Sequence, residues 1–404
     1  MFQKNLVFAA ACLGMLLFGI AFLSLGALNN TIAERFHLPA NEIGTLTALL
    51  PLGILFGSIV FGPIVDRFGY KWMLVISALL SGAGLEGMAF GQSKVAIRVF
   101  VFLIGFGGGV LNGATNALTA DVSEGERGAR LSLLGVFFGI GALGMPGALA
   151  LLSRSFSMTA IVAGIGAFVF LPTVYFLVIQ FPPPKRKTAK GLLEGLRLLW
   201  DPVFLFAAPA LAIQSGMEGM SNDWMTRYFQ KVTLAAGNAA EWKTQLGLMA
   251  VTGAMVLARL CLSGLLKRVS SRAVLFASVA TTAAGATLLM FANSYGVSLA
   301  AALFIGAGLA AVFPVVLGYI GDLKPSQSGA AFSVIFFIAL IGNMTINKTF
   351  GEIAQKQGIQ EYTTVMLACL AASALLLFLV TNEFKKHKLT LTNTNGQSCQ
   401  TMAQ

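Results

Sequence analysis

The sequence predicts an all-α integral membrane protein with twelve transmembrane helices in two pseudo-symmetric six-helix bundles. Three observations carry this reading. Of 404 residues, 56% are hydrophobic and only 11% charged, and the mean hydropathy is +0.80, so the chain holds more apolar surface than a soluble domain can bury. Apolar runs of about 20 residues recur along it, each long enough to cross a ~30 Å hydrocarbon core at 1.5 Å per residue. A basic Pro-rich stretch, Pro182-Pro183-Pro184-Lys185-Arg186-Lys187, divides these runs into six and six.

Taken in order, the spans fall near 5–30, 42–64, 72–91, 96–121, 131–152, 157–181, 202–228, 244–266, 273–293, 296–320, 328–349 and 361–381. The first is too long for a signal-peptide core and is read as a retained helix. The expected organisation is an N-terminal bundle over 1–181, a cytoplasmic linker with an amphipathic helix over 182–200, a C-terminal bundle over 201–384 and a disordered polar tail over 385–404. Alternating the loops puts about 17 Lys and Arg on one face and about 9 on the other, which places both termini in the cytoplasm.

The net charge of +11 is therefore read as membrane orientation and not as a nucleic-acid surface. Cys12, Cys261 and Cys369 lie in apolar runs and Cys399 in the tail, with neither a disulfide framework nor a metal-ligand spacing. His37 and His387 are the only histidines, both in loop or tail, so a membrane enzyme is not expected. No cofactor or metal is called for. The expected partners are a small-molecule substrate, the lipid bilayer and a coupling ion, proton or sodium, with the chain acting as a monomer.

Polar side chains at membrane depth need a partner or a wet cavity, because an unpaired charge there costs ~3 kcal/mol or more. In span four, Asn112 and Asn116 share one helix face inside a glycine-rich run. In span seven, Gln214, Glu218 and Asn222 follow at steps of four, with Trp224 and Tyr228 beyond them, and in span eleven Asn343 and Asn347 repeat the spacing. Each set either bonds neighbouring helices or contacts a hydroxyl-bearing solute. Asn29, at the outer end of span one, joins this list, although one of Asn29 and Asn30 is expected to cap the interface. Glu218 is the carboxylate read as well inside a span and is the proton-coupling candidate; its alternative is a structural pair with Arg227 or another cation. Trp224 either stacks on a sugar ring or anchors the interface. Glu86 and Arg98 are read as a possible outer pair and Arg259 as snorkelling to the inner surface.

Between spans two and three, Gly62-Pro63-Ile64-Val65-Asp66-Arg67-Phe68-Gly69-Tyr70-Lys71 reads G-x-x-x-D-R-x-G-x-K. This spacing resembles the loop signature of the major facilitator superfamily of transporters, with Tyr70 where that family usually has a basic residue. Gly264-Leu265-Leu266-Lys267-Arg268 stands as a decayed copy in the second half. The resemblance implies the major facilitator fold, with a site near the midplane between the halves, and a conformational latch formed by Gly62, Asp66, Arg67, Gly69 and Lys71. Four stretches are similar to the fucose-galactose-glucose:proton symporter group and related sugar transporters: Asn29-Asn30, Gly107–Asn116 with Leu131–Gly144, Gly216-x-Glu218 with Trp224 and Tyr228, and Gly306-x-Gly308 with Phe313-Pro314. That group implies secondary active transport of a sugar-like solute across the inner membrane by alternating access, acting as a symporter. Where it tends to carry acids in spans one and four, this chain has Ala33 and Asn112. The small-residue run Gly135, Gly139, Gly141, Gly144, Pro146, Gly147 loosely resembles the glycine-proline motif of drug antiporters, so efflux of drugs or metabolites is the alternative.

Overall fold

The computed structural model describes residues 3–122, 127–183, 200–235, 237, 240–323 and 328–401, the last fifteen of these as backbone alone. Among them are thirteen helices, which we number in chain order: α1 Lys4–Phe36, α2 Ala40–Phe68, α3 Tyr70–Phe90, α4 Lys94–Val122, α5 Arg127–Leu152, α6 Met158–Val178, α7 Pro202–Ala235, α8 Glu241–Leu265, α9 Ser271–Met290, α10 Tyr295–Leu309, α11 Val312–Leu323, α12 Ser328–Gln357 and α13 Glu361–Thr401. Twelve stretches are long and apolar enough to cross a membrane, α10 and α11 together forming the tenth, Tyr295–Leu323. An even number of crossings returns the chain to the face it started from.

The first bundle is built around α4, which packs on α2, α3 and α1, while α1 lies along α5 and α3 along α6. In the second, α7 packs on α8, α12 and α13, and α10 on α8 and α9. The bundles are joined mainly by α2 with α12, α5 with α8 and α1 with α7, and α1 also touches α8. The tenth span breaks at Ala310 and Ala311. Pro314 explains the break: lacking an N–H, it cannot donate to the carbonyl of Ala310 four residues back, yet it is tolerated in the first turn of the helix that restarts at Val312.

The apolar core is unevenly shared. One continuous cluster runs from the first bundle into the halves of α7, α8 and α12 remote from the terminal face, through residues such as Met217, Trp224, Leu248 and Phe350. A second cluster, including Phe204, Leu211, Leu262, Val316 and Ile335, fills the terminal-face half of the second bundle alone. Burial between bundles is thus concentrated on the far face.

Several expectations change. The last helix continues through the polar stretch read as a disordered tail, to Thr401; a helix already nucleated by a packed segment extends at low cost. The linker helix lies outside the described residues apart from Trp200. Arg98 pairs with Glu42 at 3.4 Å, as does Lys94 at 3.5 Å, while Glu86 packs against Gly166 of α6. Lying on one membrane face therefore did not suffice to make Glu86 and Arg98 a pair.

Candidate functional site

The site is best built from the broken tenth span. Pro314 withholds the donor that Ala310 O would accept from, Leu309 O ends α10, and two side chains from other helices occupy these carbonyls. Gln214 Nε2 donates to Leu309 O at 2.8 Å, and Arg259 Nε donates to Ala310 O at 3.3 Å. Both then converge on one carboxylate: Gln214 Nε2 lies 3.1 Å from Glu218 Oε1, and Arg259 Nη2 2.9 Å from Glu218 Oε2. The guanidinium, carboxylate and amide so joined tie α7, α8 and the α10–α11 break together. Their side chains are not sealed, with 33% of Arg259 and 14% of Glu218 accessible. Arg259 is therefore no snorkelling residue; its position along α8 gave depth but not the helix face, and the face turns it toward Glu218.

Glu218 stands one turn before the point where α7 meets the first bundle. One turn further along α7, the backbone of Asn222 abuts Gly26 of α1, where a Cβ could not be accommodated. From there to the far face the bundles are zipped. Asn29 Nδ2 donates to Asp223 O at 2.5 Å, Asn30 Nδ2 to Thr226 O at 3.2 Å, Thr226 Oγ1 to Gly26 O at 2.8 Å and Gln245 Nε2 to Ala27 O at 2.8 Å. Gln230 reaches Glu34 at 2.6 Å, and Gln355 accepts from the Ala40 N–H at 2.8 Å. Among the described residues, all these bonds between bundles lie on the far half. Toward the terminal face, Gly135 on α5 and Gly318 on α11 have nothing within 4 Å of where a Cβ would stand.

In the first bundle, Asn112 and Asn116 sit between the face of α4 packed on α1 and that packed on α2. Asn116 Nδ2 donates to Asn112 O at 2.9 Å and to Asn112 Oδ1 at 3.0 Å. Both are half-buried, so the pair is preset by its own helix and keeps an accessible edge.

The remaining residues of the sequence reading serve packing in this state. Trp224 is fully buried; its Nε1 donates to Asn347 Oδ1 at 3.0 Å and its ring meets Phe350 edge-on at 4.9 Å. Asn347 donates to Asn343 Oδ1 at 2.9 Å, and Asn343 to Ser215 O at 2.9 Å. These three fasten α12 to α7, where Gly219 makes room for the two amides. Asn222 is buried, its Oδ1 3.5 Å from Thr252 Oγ1, and Asn29 belongs to the zipped contact. Of the latch residues, Gly69 has φ 77° and lets α2 turn directly into α3; Arg67 is exposed, its guanidinium over the Phe68 ring. Lys71 is half-buried. The side chains of Gly62 and Asp66 lie outside the described residues. Tyr70, where the resemblance anticipates a cation, donates from its hydroxyl to Asp121 Oδ2 at 2.8 Å and so ties α3 to α4.

Sequence reading missed Asp223. It sits five residues past Glu218 in the same span, next to an asparagine already singled out, and an unbroken polar face of α7 could have drawn attention to it.

Among known proteins, the family model described as Major Facilitator Superfamily matches residues 10–344. The uncharacterized transporter y4wD of Sinorhizobium fredii is 28% identical over 346 residues, 82% of this chain and 87% of that protein. Protein TsgA of Salmonella typhimurium is 24% identical over 217 residues, 53% of this chain and 55% of that protein. Two solved structures share the fold: a mutant of the nucleoside transporter NupG, with TM-score 0.78 and 15% identity over 94% of this chain and 100% of that one, and a D-xylose-proton symporter, with TM-score 0.76 and 14% identity over 91% and 97%.

Proposed function

Because the chain belongs to the major facilitator superfamily of membrane transporters, we propose that it is a secondary active carrier that moves a small polar, sugar-like solute across the inner membrane by alternating access. The observation that carries this is the Gln214–Glu218–Arg259 set: a partly accessible cluster of donors and acceptors at membrane depth, one turn along α7 from the point where the bundles meet at Gly26. Groups this costly to hold in a membrane mark a solute pathway. In the first bundle, the preset amides Asn112 and Asn116 add donors and acceptors at membrane depth. Together they offer several hydrogen-bond donors and acceptors and only one ion pair, which suits a polyhydroxylated ligand better than a hydrophobic cation. The fold is shared with carriers of D-xylose and of nucleosides, both polyhydroxylated.

The excess of Lys and Arg on the terminal face supports a cytoplasmic location for both ends. On that reading the zipped far face is periplasmic and the conformation is inward-facing, with the α2–α3 loop free to latch the opposite, outward-facing state. Trp224, Asn343 and Asn347 act as scaffold and not as ligands.

The test is thermal stabilisation of the purified full-length chain by sugars, nucleosides, amino acids and cationic dyes, in which a ligand at 100 Kd adds about 2.7 kcal/mol, followed by uptake of the hits into proteoliposomes. Stabilisation by polyols that is lost in Glu218→Gln and Asn112→Ala supports the reading. Stabilisation by hydrophobic cations alone, with efflux unaffected by hexoses, would replace it with the export alternative.

A further inference from the structure

The flank where α5 meets α8 is held differently from the rest of the far-face contact. Every hydrogen bond between the bundles described above involves α1 or α2 on the first-bundle side. Along α5 and α8 the helices touch instead through small and apolar residues, with Gly139 against Val256, Leu143 against Gly253 and Gly147 against Met249. This register is antiparallel, and its next step toward the far face brings Arg154, just past the end of α5, to Trp242 in the first turn of α8. The guanidinium carbon stands 4.9 Å from the centre of the indole ring, inside the ~6 Å over which a cation is drawn to an aromatic face.

Both partners are placed before they meet. After α5 the chain is folded into a tight connection by the Ser155 and Phe156 N–H groups, which both donate to Leu152 O at 2.9 Å, and the Ser157 hydroxyl then caps α6 by accepting from the Ala160 N–H. In the other bundle, Lys243 Nζ lies 5.6 Å from the Trp242 centroid and 5.7 Å from that of Tyr295. Tyr295 donates to Lys243 O at 2.9 Å and meets the fully buried Phe229 edge-on, so the first turn of α8 is fastened to α10 and α7. Among the described residues no carboxylate lies within 4 Å of the exposed Arg154 guanidinium. The half-buried Trp242 ring is what holds it.

We propose that Arg154 and Trp242 form a reversible clasp on the α5–α8 flank of the far-face gate, built from a cation on an aromatic ring and not from an ion pair. The inference rests on the alternating-access reading and assigns one side of its gate. When the bundles part, the guanidinium rehydrates and the ring keeps Lys243 beside it, so neither partner is stranded. At an exposed site such a contact shifts the closed-to-open ratio by about twofold to fivefold. Because only one partner is charged, that share holds from about 0.05 to about 0.5 M salt, a range over which an exposed ion pair fades.

The experiment uses the full-length chain, its four cysteines replaced by serine or alanine, spin-labelled at Gln92→Cys and Asn293→Cys, two exposed far-face loop positions on opposite bundles. Double electron–electron resonance gives the ratio of short to long distances. Trp242→Leu and Arg154→Gln are each expected to lower that ratio twofold to fivefold at either salt concentration, Arg154→Lys less, and the double variant no further than a single one. The decisive series places mono-, di- and trifluorotryptophan at position 242 alone by nonsense suppression; fluorine drains electron density from the ring face with little change of size, so the ratio should step down with each substitution. A ratio indifferent to fluorination overturns the clasp even if Trp242→Leu lowers it, as does strict additivity in the double variant or an effect confined to low salt. A single distance in every variant and with every solute sinks alternating access itself.

Discussion

Gly44 of α2 and Gly351 of α12 meet backbone to backbone: a Cβ on Gly351 would stand 2.7 Å from Gly44 Cα. No side chain separates the two bundles at this point, so neither glycine can be enlarged while the far face stays shut. Gly351→Val is expected to cost about 1–3 kcal/mol in the closed state and little in the separated bundles. Cross-linking between far-face cysteines should slow by roughly 5-fold to 100-fold while thermal stability of the protein changes far less; unchanged cross-linking would show that the contact is not part of the gate.

Breaking the ion pair from either side is expected to cost unequal amounts. Arg259→Ala leaves Glu218 charged and only partly hydrated, an effect of about 1–3 kcal/mol once the 33% and 14% exposures are allowed for. Glu218→Gln keeps a side-chain carbonyl for Gln214 and is milder. Both should lower uptake at least tenfold, and the double variant Glu218→Gln/Arg259→Gln should be less destabilised than the sum of the singles. Strict additivity in thermal unfolding would mean the residues do not act together.

Pro314→Ala restores an N–H that competes with Arg259 for the Ala310 carbonyl. Unfolding temperature is expected to hold or rise, since the helix gains a bond, while solute affinity falls because the guanidinium loses its backbone anchor. Affinity equal to that of the unaltered protein would show that the break serves only packing.

Trp224→Phe removes the N–H that Asn347 Oδ1 accepts and leaves that oxygen buried without a partner, for about 1–3 kcal/mol of stability. Solute affinity should stay within about twofold, because the ring has no accessible face. A tenfold loss of affinity with unchanged stability would restore it as a ligand.

The fold was legible because hydropathy reports span count directly, and lipid enforces that signal more strictly than water does. Candidate depth was legible too: Asn112, Gln214, Glu218 and Asn343 do lie within spans. Direction was not. Steps of four mark a shared face without saying whether it meets a passage or a neighbour, so Asn343 and Asn347, spaced like Asn112 and Asn116, proved to fasten α12 to α7. Arg259 was misread for the same reason, its partner being set by the packing of α7 on α8. Asp223 escaped notice because it directly follows Asn222 and so falls off the face shared by Gln214, Glu218 and Asn222.

The released carbonyl at Ala310 holds the Arg259 side chain through main-chain chemistry, which survives any replacement at position 218. A lineage could therefore exchange Glu218 for other polar residues, one substitution at a time, without stranding a cation in the bilayer. The kinked tenth span thus lets solute preference drift during evolution while the scaffold stays intact.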